Sequence, residues 1–186
     1  MATVNRETAP LTAEEFARLP ESDLFEELVR GRIVRSPLPN RLHGYVCAEI
    51  VHRLARYLEE RPIGRGLGGN SGVVTERDPD TVRGPDVAFY SFERLPRDAD
   101  LDGYGPEIPE LVFEVHSPSD RWIKEVAKAA EYVEAGVSIA VLLDPRERKA
   151  HVFEADRAPV ALGPDDVLRL ESVLPGFEAV VGDLFG

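Results

Sequence analysis

The stretch from 110 to 144 constrains the fold more than any other. "ELVFEVH" (110–116) reads as a strand. "SPSDRWIKEVAKAAEYVEAG" reads as a helix, capped by Ser119 or Asp120 and stopped at Gly136. "VSIAVLLDP" reads as an apolar strand. Such a chain needs a sheet crossed by one helix. "KAHVFEA" supplies a hairpin partner after the "DPRER" turn, and "GVVTE" (72–76), "DVAFY" (86–90), "APVAL" and "VLRLES" read as further short strands. The clearest helix is "NRLHGYVCAEIVHRLARYLEERP". Val46, Ile50, Leu54 and Tyr57 fall on one of its faces, and Pro62 ends it. Thr12 and Glu15 have capping-box spacing, which predicts a short helix in an N-terminal extension over 1–20. Ser22 offers a second helix start, ahead of a hairpin over about 26–36 around Gly31. The Pro-, Gly- and Asp-rich stretch 91–109 reads as a surface loop. The expectation is one α/β domain over 1–186, with a mixed central sheet flanked by helices.

Charge narrows the partners. The net charge of −12 argues against a general polyanion binder. Its distribution is uneven, because residues 30–65 hold eight Arg against Glu49, Glu59 and Glu60. That segment is the candidate nucleic-acid face; the alternative is solvated arginines paired with those glutamates. Cys47 is the only cysteine, so neither an internal disulfide nor a Cys-based zinc site is expected. No apolar run approaches the roughly 20 residues that span a bilayer, and "MATVNRETAPLTAEEF" has no apolar signal core. A cytoplasmic protein with no membrane partner is expected. Gln is absent and Asn occurs only at 5, 40 and 70, which fits either a heat-adapted source or a GC-rich genome.

Two segments that read as buried sheet each carry one carboxylate. Asp86 follows Pro85 at the mouth of a strand, and Glu114 lies among Val112, Phe113 and Val115. An ionised carboxylate inside a sheet is costly unless something pairs with it. If the two strands are neighbours, the carboxylates converge, and hard oxygen donors suit Mg²⁺ or Mn²⁺. Spacing alone leaves a second reading, in which Asp86 caps a turn and Glu114 pairs with an Arg.

"RGPDVAF", "PELVFEVHSPSD", "KAAEYVEAGV" and "LLDP", in that order, resemble the Uma-type restriction-endonuclease family of the PD-(D/E)xK nuclease superfamily. The resemblance runs from about "FEELVRGRIV" to "LPGF". It implies a restriction-endonuclease-like core and metal-dependent cleavage of DNA. Carried over by residue, it makes Asp86 and Glu114 the motif acids, with Mg²⁺ or Mn²⁺ held by both and by the Val115 carbonyl. The superfamily lysine two residues after the acid is replaced by His116, and Lys128 on the following helix matches the displaced lysine. Glu27 matches a family Glu, as a supporting catalytic acid. His43 and Tyr132 match a His and a Tyr of the family, and with Arg41 are expected to meet substrate. Arg30 and Lys124 depart from the family, which has acids there.

The residues themselves leave other readings open. Lys128 could pair with Glu125 or Glu131 on its own helix. A helical wheel sets it nearly opposite the stripe Ile123, Val126, Ala130 and Val133, on the face of Ala129, Tyr132 and Ala135. His43 falls on an apolar helix face, which suits a hydrogen-bonded core histidine, and Glu27 suits a surface acid of the hairpin. Trp122 reads as packing. The rivals to a nuclease are a catalytically weak or inactive relative that binds nucleic acid or protein, and a hydrolase of small phosphate esters. His116 and Ser117 adjoin in a strand and point to opposite faces, which argues against a serine nucleophile. The unassigned stripe makes a homodimer or higher homo-oligomer plausible.

Overall fold

The computed structural model describes residues 9–20, 22–117 and 121–186. Its spine is a six-stranded mixed sheet in the order β10-β9-β8-β7-β6-β3. These strands are β3 (Gly64–Gly68), β6 (Val87–Ser91), β7 (Leu111–Val115), β8 (Ile139–Asp144), β9 (Lys149–Glu154) and β10 (Val160–Leu162). β7 and β8 run parallel, and every other pair in this sheet is antiparallel. The parallel pair needs a crossover, and α3 (Trp122–Glu134) supplies it.

Each face of the sheet receives one long helix. α2 (Arg41–Glu60) lays Val46, Ile50, Leu54 and Tyr57 on the face formed by Val87, Phe89, Leu111, Phe113 and Val115. Asn40 caps it by accepting from His43 N, and Tyr57 Oη donates to Pro175 O beyond its far end. On the opposite face α3 buries Ala129 and Tyr132 among Ala88, Tyr90, Val112, Ala140 and Leu142. Gly136, at φ +107°, closes α3: Gly136 N donates to Val133 O and Val137 N to Tyr132 O. This double bond is the Schellman stop that the glycine predicted. The cap residues expected at 119 and 120 lie outside the described residues. Trp122 packs, with His116 and His151 edge-on to its ring.

A second, four-stranded sheet has the order β2-β1-β5-β4, from β1 (Phe25–Val29), β2 (Arg32–Ser36), β4 (Val73–Glu76) and β5 (Thr81–Arg83). β1 and β2 are the expected hairpin, turning on Arg30 and Gly31, both at positive φ. α1 (Ala13–Ala17) has the expected capping box, and its Ala13 and Phe16 pack with Leu28, Val74 and Val82. No helix starts at Ser22: its hydroxyl accepts from Leu24 N in a bend, and β1 follows at Phe25. A hydrophobic pattern shared with the hairpin gave that segment to the sheet instead.

Three strands were not anticipated. β3 is "GRGLG", with a composition that disfavours strands. Its glycines admit close neighbours: a Cβ on Gly66 would stand 2.8 Å from Leu54 Cδ2 of α2. β5 has three residues, and so has β12 (Glu178–Val180), which pairs with β11 (Val167–Arg169) beside a closing 3₁₀ turn at Val181–Leu184.

Candidate active site

The two sheets meet at a cleft of about 760 Å³. Asp86 stands one residue before β6, and Glu114 lies in β7, which pairs with β6. Glu27 comes from β1 of the smaller sheet and Lys128 from the middle of α3. All four line the cleft.

Lys128 joins the acids. Its Nζ is 2.9 Å from Glu27 Oε1 and 2.9 Å from Glu114 Oε1, with only 12% of the side chain exposed. It thus takes partners on two strands rather than its helix neighbours Glu125 and Glu131. Burial opposes its charge, but Glu114 and Glu27 overcome that cost and raise its pKa. Glu114 is 6% exposed. Besides Lys128, it accepts from Tyr132 Oη at 2.8 Å. Burial pushes its carboxyl up to about 8; Asp86 and Glu27 add to that, and Lys128 opposes it. Glu27 ends on the other side of its ordinary value. Burial raises it, but Lys128 and Arg83 outweigh burial and lower it.

Asp86 is held from two sides. Its Oδ2 accepts from Val115 N at 2.7 Å and lies 3.2 Å from His43 Nε2. The first turn of α2 aims His43 at this point. One turn on, Cys47 Sγ lies 3.4 Å from His43 Nδ1. One donor atom each from His43, Cys47 and Asp86 lies within 4.8 Å of the other two.

An outer layer was not read from the sequence. Arg83 grips Glu131 through Nε at 2.9 Å and Nη2 at 2.6 Å, and reaches Glu27 Oε2 at 3.0 Å through Nη1. Thr75 Oγ1 donates to Glu131 at 2.6 Å, and Gly84 N to Glu27 Oε1 at 3.1 Å. Arg83 lies three residues before Asp86 in "RGPD", and that closeness was the available signal. The spacing of four between His43 and Cys47 was the signal for the thiol.

Two residues expected to meet substrate stand elsewhere. Tyr132 is wholly buried, and its hydroxyl is spent on Glu114, so it positions that acid from behind. Arg41 is exposed at the first residue of α2 and does not line the cleft. His43 does line it, while its ring orients Asp86. Of the arginines between 30 and 65, only Arg35 borders the cleft. Arg53 pairs with Glu49 and Arg61 with Glu60, and Arg65 donates to Pro96 O. Three of the segment's arginines thus have protein partners, the first two being the glutamate pairs that the sequence offered as an alternative. His116 does not border the cleft; its ring meets Trp122, and its buried Nδ1 has no partner among the described residues. Arg30 sits in the hairpin turn away from the cleft, whereas Lys124 is on the cleft wall.

The donors suit a hard cation. Glu27, Asp86, Glu114 and Glu131 face Lys128 and Arg83, so with all of them ionised two negative charges are left over. A single divalent ion would balance them. Burial, reinforced by Asp86 and Glu114, raises the Cys47 thiol far above its ordinary range, and the carboxylate and carbonyl oxygens of the cleft are the donors that suit such a hard ion.

A mixed sheet with a helix on each face and acids at one end of two neighbouring inner strands fits a restriction-endonuclease-like fold. Residues 13–182 match Uma2, a family described as putative restriction endonuclease, and the chain belongs to that family. Its fold is similar to the crystal structure of a putative nuclease belonging to DUF820 from Anabaena variabilis ATCC 29413. The TM-score is 0.82 at 22% identity, over 95% of this chain and 98% of that one. No curated protein matches the chain in sequence. No helix among the described residues is long and apolar enough to cross a membrane.

Proposed function

We propose that this protein is an endonuclease that hydrolyses phosphodiester bonds of DNA with Mg²⁺ or Mn²⁺. Membership of its family supports a nuclease. The observation that carries the rest is the meeting of Asp86, Glu114 and Lys128 in one cleft with more acid than base around them. Asp86, Glu114 and the Val115 carbonyl would hold the ion. When bound, it supplies a Lewis acid for the phosphoryl oxygen and a hydroxide at neutral pH. The residues do the remainder. Lys128 keeps a fixed positive charge beside Glu114, where negative charge grows on the phosphate during attack. Glu27 and Tyr132 hold Lys128 and Glu114 in place, and His43 fixes the orientation of Asp86.

Plasmid nicking in Mg²⁺, Mn²⁺ or EDTA tests this. Wild type is expected to nick with either metal and not with EDTA, and Glu114→Ala is expected to be silent. Equal nicking by both proteins would remove the assignment. A second reading, a non-catalytic binding module, draws on the double ion pair of Lys128, which already occupies two of the acids. Calorimetric titration with Mn²⁺ separates the two: the nuclease binds the ion and Asp86→Asn abolishes binding, whereas the module binds none.

A further inference from the structure

We propose that His43, Cys47 and Asp86 form a zinc-class site, whose occupation withdraws Asp86 from the hard cation and shuts the cleft down. The regulatory half rests on the nuclease reading above; the site itself does not.

The geometry is the warrant. His43 and Cys47 are four apart on α2, so their side chains leave the same face one turn apart. Asp86 approaches from the start of β6. The three donors are a nitrogen, a sulfur and an oxygen, the set that zinc accepts and Mg²⁺ does not. A tetrahedral ion with zinc–sulfur and zinc–nitrogen bonds of about 2.3 and 2.0 Å sets those donors roughly 3.5 Å apart. Cys47 Sγ and His43 Nδ1 stand 3.4 Å apart, while Asp86 Oδ2 meets the ring's other nitrogen, Nε2, at 3.2 Å, so an ion held through one nitrogen needs the imidazole or Asp86 to turn within the 4.8 Å that spans the three donors. With three protein donors the fourth position is left for water, as in open zinc sites. His43 and Asp86 both border the cleft, which gives an ion a way in.

A site built from several cysteines is excluded in a chain with one. A mixed site needs only one. The thiol gives its proton to solvent as the sulfur–metal bond forms, because a positive ion reverses the effect of the neighbouring carboxylates. Mg²⁺ and Mn²⁺ prefer oxygen and leave the thiol protonated. The same Asp86 thus serves two ions of different softness, and they exclude each other.

Cobalt reports on the site without any cleavage. Co²⁺ added to the wild-type protein is expected to give an ultraviolet sulfur-to-cobalt charge-transfer band and the intense visible bands of a four-coordinate ion. Zn²⁺ should displace both. Cys47→Ser should lose the charge-transfer band and bind Zn²⁺ more weakly, by more than the roughly 10–100-fold that loss of an outer partner costs. In the nicking assay Zn²⁺ should inhibit wild type in the presence of Mn²⁺, and Cys47→Ser should escape that inhibition. A wild-type cobalt spectrum with no charge-transfer band would overturn the site, and so would a band that survives Cys47→Ser. If the band appears while no DNA is cut, the zinc site stands and the nuclease reading falls. If DNA is cut and no band appears, the reverse holds.

Discussion

The two faces of the central sheet use the same strands for different ends. On the α2 face, Val46, Ile50, Leu54 and Tyr57 meet Val87, Phe89, Leu111, Phe113 and Val115, and charge comes in at the helix's first turn, where His43 meets Asp86. On the α3 face, one residue further along β7, Glu114 turns the other way and is met by Lys128 and Tyr132. The first face is held mainly by apolar burial. The second spends part of its interior on an ion pair, which is weak as a source of stability and costly to break. Most of the apolar packing thus lies on one side of β7 and the buried ion pair on the other.

Substitutions on the two sides should have different consequences. The largest effect is expected from Glu114→Ala, which should lower metal-dependent nicking at least about 100-fold. Lys128→Met leaves Glu27 and Glu114 without their shared cation. It is expected to cost about 3–5 kcal/mol in urea unfolding as well as abolishing cleavage. Leu54→Ala on the other face should cost about 2–5 kcal/mol and leave metal-dependent nicking intact in the folded fraction. If Leu54→Ala removed cleavage from well-folded protein, the division would not hold.

Glu114 also gives a pH signature in EDTA. Its folded value of about 8 lies above the unfolded 4.5. Between those values the native state keeps a proton that the unfolded chain has released. This group therefore costs stability as pH rises through the window, by up to about 1.4 kcal/mol per unit, and the cost levels off above pH 8. Glu114→Gln should remove that slope and gain most over wild type near pH 8, as read by thermal melts across the range. A variant that keeps the wild-type slope would show that Glu114 is ionised throughout. The smallest effect belongs to Ile123→Ser, within about 0.5 kcal/mol, because Ile123 is 76% exposed.

That last residue shows where the sequence misleads. The stripe Ile123, Val126, Ala130 and Val133 looks like the buried face of α3, yet the fully buried residues are Ala129 and Tyr132, Val126 and Val133 are only half-buried against the core, and Ile123 is exposed. Apolar periodicity predicts burial when burial is apolar, as in α2, where all four expected positions are inside. In α3 the helix is turned to deliver a lysine, and Glu114 and Glu27 balance a charge that a helical wheel counts as surface. Asp86, Glu114, Lys128 and Glu27 were legible through resemblance and do share the cleft. Arg83 and Cys47 were not read: Arg83 takes its meaning from Glu131, 48 positions away, and the four-residue spacing of His43 and Cys47 was the one local signal for the thiol. The strands β3 and β5 escaped for a plainer reason: one is rich in glycine and the other has three residues.

The most direct test of the central claim is a Mn²⁺-soaked crystal examined by anomalous scattering. The expected map has a peak bonded to carboxylate oxygens of Asp86 and Glu114 and to the Val115 carbonyl, with Lys128 drawn aside from Glu114. A clean map with no peak between those two acids, at Mn²⁺ concentrations that support nicking, would contradict it.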